Sequence, residues 1–198
     1  FLVFFLALSS KSFSNNKITN TSTGCNFKIS SQYIKDVDNL KIKKIEVDTH
    51  NYRRWTVNSI RIITNRFRFT PNEYRQRFDA TISVTYEDDT KCIFSGRIRH
   101  SGDAKDHIAL HDNSILQSLD IHLNNGNIRG ITRFKLFKPD TRGVLEDVII
   151  QSELLRSLNY LAPRSIKVEA RINQAVSVML FQEKAAKELL EFNNRREG

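Results

Sequence analysis

"DATISVTYEDDTKCIFSGRIRH", residues 79–100, sets the fold class. Ala80, Ile82, Val84 and Tyr86 alternate with polar residues, a polar turn follows at 87–90, and Cys92, Phe94, Gly96 and Ile98 alternate on the return. A period of two marks strands with one buried face, so the stretch predicts a β-hairpin. Upstream, Ile42, Ile45 and Val47 stand between charges in "KIKKIEVDTH" (41–50), which predicts another strand. "NFKISSQYI" (26–34) and "RWTVNSIRIITN" (54–65) also read as strands, the second through Trp55, Val57, Ile60 and Ile62. "TPNEYRQRF" (70–78) predicts a short helix or turn, with Thr70 as N-cap and Pro71 in the first helical position.

Downstream, "SLDIHLNNGNIRGITRFKLFKP" (118–139) predicts a second strand pair, with Leu119, Ile121 and Leu123 before the turn and Phe134, Leu136 and Phe137 after it. The period then changes. Val144, Val148, Ile149, Leu154, Leu155 and Leu158 fall three to four apart, which predicts a helix that Asn159 can close. "IKVEARI" and "VSVMLFQ" flank "NQA" as a last hairpin, and "AAKELLEFNNRREG" (185–198) is helical. The expected fold is α+β: a mostly antiparallel sheet with one long helix packed on it.

The totals fit one domain of ordinary size: 198 residues, 39% hydrophobic and 27% charged. The net charge of +9 favours acidic partners such as nucleotides, nucleic acid or an anionic membrane face, without choosing among them. The basic residues are scattered rather than gathered in one run, so no nucleic-acid arm is expected. "FLVFFLALSS" (1–10) is too short to span a bilayer and reads as the remnant of a signal peptide or membrane anchor, followed by a linker over 11–24. An exported or envelope-anchored protein is the expectation, with membrane association through the N-terminus. A β-rich extension over 25–78 and a domain over 79–198 complete the division. Cys25 and Cys92 fit either one disulfide or two free thiols.

"GRIRHSGDAKDHI" (96–108) carries His100, Asp103, Asp106 and His107 within eight positions. Three readings stand. His100, Asp103 and His107 could ligate a metal, although their spacing matches no metal signature. Ser101 and Gly102 could offer backbone N–H groups to a phosphate beside Arg97, Arg99 and Lys105. Or Gly102 makes a turn at positive φ, Asp103 caps it and Asp106 pairs with an arginine.

Glu153, Leu154 and Arg156, then Ala162, Pro163, Arg164 and Ser165, then Asn173, then Glu183 and Lys184 follow one another in an order that resembles the spore-coat CotH-type family of atypical protein kinases. That family has a helix segment of the E-L-A-R type, an A-P-R-S element, an N-G turn and an E-K pair. "GRIRHSGD" is similar to its R-x-R-G-N-type segment, and bacterial CotH-like proteins carry G-D-x-x-D-H-I, F-K-L-F and Q-E-K segments. Gln174 stands where the family has Gly, and "QSLDIHL" replaces its basic strand.

The resemblance implies a kinase small-lobe-like fold that ends before the large lobe, binding ATP with Mg²⁺ for transfer to a protein substrate. It implies nucleotide-binding roles for Lys135 as the phosphate cation (Lys138 or Arg142 as substitutes), Glu153 as its helical partner, Gln182 and Glu183 at the hinge, and Gly102 in the phosphate loop. No catalytic base is implied within these residues, so the fragment itself is expected to be inactive. The alternative is a non-catalytic surface domain that binds another protein.

Overall fold

The computed structural model describes Cys25 and residues 40–196, apart from 112 and 142. The expected signal remnant, linker, strand 26–34 and Arg142 lie outside the described residues. Among the described residues nine strands form: β1 (Ile42–Thr49), β2 (Phe78–Tyr86), β3 (Lys91–His100), β4 (Ile108–His111), β5 (Ser114–Gln117), β6 (Leu119–Leu123), β7 (Arg133–Phe137), β8 (Ser165–Ile172) and β9 (Ala175–Glu183). Three α-helices accompany them: α1 (Tyr52–Thr64), α2 (Leu145–Ser157) and α3 (Lys187–Phe192).

Seven strands close into a barrel in the order β1-β2-β3-β6-β7-β9-β8, while β4 and β5 pair separately. Every barrel contact is antiparallel except the seam, where β1 runs parallel to β8 from Lys44–Glu169 to Val47–Ile172. The period-two pattern fills the interior. Ile45, Val47, Ile82, Val84, Ile98 and Ile121 are all fully buried, and Phe134 stacks on Phe181 at 4.7 Å between ring centroids. Gly96 lets β3 and β6 close up, because a Cβ there would lie 2.8 Å from the carbonyl oxygen of His122.

The hairpin of 79–100 forms as its alternation implies, with Asp89 at positive φ in the turn. Asn173 and Asn159 likewise take positive φ, in the β8–β9 turn and after α2.

The fold class is corrected. The chain does not form a kinase small-lobe-like α+β sheet with one packed helix; it is mostly β, and seven strands close into a barrel. Because β1 pairs on both sides, with β2 and β8, no edge is left along the seam. The helix α2 lies outside, where Val148 and Ile149 pack with Leu145 against Phe137 and Leu180.

Residues 54–65 are a second correction, since they form helix α1 rather than a strand. Asn51 caps it by accepting the Arg54 backbone N–H at 3.1 Å. The buried positions Trp55, Asn58, Ser59 and Ile62 follow helical spacing, and two of them are polar. Asn58 donates to the Tyr74 carbonyl and accepts from Gln76, while Ser59 accepts from Gln117. The turn expected at 70–78 is a 3₁₀ helix at Asn72–Tyr74 without a side-chain cap, so Thr70 does not cap it. A disulfide joins Cys25 to Cys92, with Cα atoms 5.5 Å apart.

Candidate functional site

Strand register places one residue from each of five neighbouring strands in a row: Arg99 of β3, Asp120 of β6, Lys135 of β7, Gln182 of β9 and Ser165 of β8. Their neighbours Ile98, Leu119, Leu136 and Phe181 fill the interior, so the row falls on the outer face of the wall.

Asp120 is buried, at 2% exposure, and gathers three cations. Arg99 Nε lies 2.8 Å from its carboxylate, Arg77 Nη2 3.4 Å and Lys184 Nζ 3.5 Å. Burial alone would raise the Asp120 carboxyl. Lys184, Arg99 and Arg77 outweigh that and hold it below the usual carboxylate range. One negative charge thus anchors three positive ones, leaving a local excess of positive charge.

The loop after β3 completes a cleft of about 240 Å³, to which Arg75, Gly102, His107, Lys135 and Lys184 contribute. Gly102 takes φ +118°, and a Cβ there would fall 2.1 Å from Cγ of His107. Only glycine lets the loop lie flat on that imidazole. Arg75 Nη2 reaches Asp103 at 2.7 Å, and this hydrogen bond lowers the Asp103 carboxyl.

His100 also lines the cleft and is 3% exposed. Gln117 donates its amide to Ser59 at 2.8 Å, so its Oε1 accepts from His100 Nδ1 at 3.1 Å. That leaves Nε2 as a bare acceptor, buried with no hydrogen-bond partner among the described residues. Burial pushes the imidazole down to about 4, so it is neutral at pH 7.

Of the residues implicated by sequence, Lys135 and Gly102 line this cleft. The Lys135 ammonium sits 5.5 Å from the ring centroid of Phe137. Gln182 is next in the row and donates to Ser165 Oγ at 3.3 Å.

Glu183 is placed differently. It points away from the row, 3% exposed, and takes Arg164 in a two-point ion pair at 2.9 and 3.0 Å. The A-P-R-S and E-K segments therefore meet, but in a buried clamp. Arg164 also donates to the Arg129 carbonyl and lies over the Phe192 ring at 4.2 Å. Glu153 is exposed on α2 and pairs with Arg156 at 2.8 Å, not with Lys135. Helical phase explains this: the adjacent Ser152 faces the wall, 3.4 Å from Ser165 Oγ, which turns Glu153 outward. Lys138 bonds the Pro139 carbonyl.

The turn reading of 101–107 matches Gly102, but the arginine pair falls on Asp103 rather than Asp106. Asp106 instead lies 4.0 Å from His107 Nε2. Among the described residues no three His, Cys, Asp or Glu converge as a metal site. Asp103 and Asp120, the two carboxylates of the cleft, are both engaged by cations, so the donor set does not fit a protein-held Mg²⁺. The cations that line the cleft fit an anionic ligand.

Arg75, Arg77 and Asp120 have no role in the sequence reading, while Arg99 enters it as charge beside the 101–102 loop and Lys184 only as half of the E-K pair. The signal was present in part, because Arg99 and Asp120 occupy polar positions within alternating strands. Neither models of known protein families nor the curated proteins give a match to this chain, so the cleft is read from its own chemistry.

Proposed function

We propose that this domain binds a phosphate-bearing small molecule, a nucleotide being the first candidate, in the cleft beside β3, β6 and β7, and that it does so in an exported protein. One observation carries the reading: Arg99, Arg77 and Lys184 converge on the buried Asp120, and Arg99, Lys184, Lys135 and Arg75 line a cleft of about 240 Å³. Guanidinium and ammonium groups fixed by a carboxylate are pre-positioned donors for phosphate oxygens. The Cys25–Cys92 disulfide supports an oxidising compartment. No helix among the described residues is long and apolar enough to cross a membrane.

The test is calorimetric titration with ATP, ADP, AMP and inorganic phosphate. Saturable binding of ATP is expected, and Lys135→Ala should weaken it about 10- to 100-fold, the cost of one charge-assisted hydrogen bond. Lys43→Ala, an exposed lysine of β1 paired with Asp89, should leave it unchanged. Absence of saturable binding by any of the four, or wild-type affinity in Lys135→Ala, would overturn the reading.

A further inference from the structure

The helix α2 is apolar on two sides. One side packs on the barrel through Leu145, Val148 and Ile149. The other presents Ile150, Leu154 and Leu158, spaced i, i+4, i+8, at 64%, 58% and 59% exposure. Tyr160 and Leu161, just past the helix end, are exposed as well, at 63% and 45%. A ridge of this extent facing water marks an interaction surface.

Its two ends differ in charge. Asp147 is exposed in the first turn of α2, with the exposed Val144 just before it. Near the other end a groove of about 650 Å³ lies beside the stripe, between Leu155, Tyr160, Leu161 and Leu190, and is rimmed by Arg195 and Arg196. Arg195 is held there by donating to the Asn159 carbonyl at 3.2 Å. The order along the ridge is therefore acid, apolar stripe, apolar groove, base.

A surface acidic at one end and basic at the other complements itself under a two-fold axis through its middle, Leu154. We infer that the α2 ridge is the contact of a symmetric dimer, in which α2 packs antiparallel on α2 of a second copy. Leu154 then meets its own counterpart, and Ile150 meets Leu158. Asp147 lies seven positions from the axis, about 10.5 Å along the helix. That carries it, with Val144, to the partner's groove and arginines. The contact is isologous, so each charge match occurs twice, and the opposed helix dipoles add to it.

The interface is distinct from the cation row, and its test is independent of ligand binding. Sedimentation equilibrium over a concentration series should show a mass rising from 23.0 kDa toward twice that value. Leu154→Glu should hold it at 23.0 kDa while circular dichroism stays unchanged, since this side chain faces solvent. Asp147→Arg alone and the pair Arg195→Glu with Arg196→Glu should each weaken dimerisation about tenfold or more. Mixing the two variants should restore it, because both ends of the mixed dimer then carry opposite charges. A monomer at every concentration, a dimer indifferent to Leu154→Glu, or no recovery on mixing would overturn the inference.

Discussion

His100 shows how one buried side chain ties the site to stability. Its folded value of about 4 lies below the ordinary 6.5 because burial penalises the imidazolium. Between those two values the unfolded chain binds the proton and the folded chain does not. Stability from this group is therefore complete above about pH 6.5 and is lost progressively as pH falls through 4. The total is on the order of 3 kcal/mol. Urea denaturation at pH 7.5 and 4.5 should show that loss, and His100→Gln should remove most of the difference. Glycine at 102 was legible from sequence as a turn residue, since its neighbours are polar and it follows a strand. Its second reason, the imidazole of His107 lying where a Cβ would go, comes from a contact that only the folded loop creates.

At the scale of elements, the Arg164–Glu183 clamp ties β8 and β9 to α3. Both side chains are at most 2% exposed, and Phe192 of α3 covers the guanidinium. Removing one partner strands a charge in the interior. Arg164→Met should cost about 3–5 kcal/mol in chemical denaturation, and Arg164→Met with Glu183→Leu should recover much of it. The hairpins β2–β3 and β8–β9 and the helix α2 were legible because their apolar periods are local. The helix α1 was not. Trp55 and Val57, and again Ile60 and Ile62, alternate by accident, whereas the buried positions between them are Asn58 and Ser59. Those two are inside because partners from Gln76, Tyr74 and Gln117 satisfy them, and no pattern of hydrophobicity reports that. The cation row shares the difficulty. Arg99, Asp120 and Lys135 become neighbours only once two strand registers, β3–β6 and β6–β7, are fixed.

For the whole molecule, two long-range ties matter, and neither has a local signal. The disulfide spans 67 residues and fastens Cys25 to the fully buried Cys92 of β3. Reduction should lower unfolding stability by about 2–5 kcal/mol, read from denaturant midpoints with and without reductant. The parallel seam joins residues 44–47 to 169–172, and Arg171 crosses it with hydrogen bonds to Glu46 and Asp48 at 3.1 and 2.6 Å. Sequence alternation identifies both strands but does not pair them, so closure into a barrel has no signal in the pattern.

That seam has a consequence for synthesis. A nascent chain finishes residues 42–49 long before residues 165–172 leave the ribosome, and β1 can find only one of its two neighbours in the meantime. The growing sheet therefore keeps a raw margin open to other strands until translation is nearly over, a stage at which chaperones guard against aggregation.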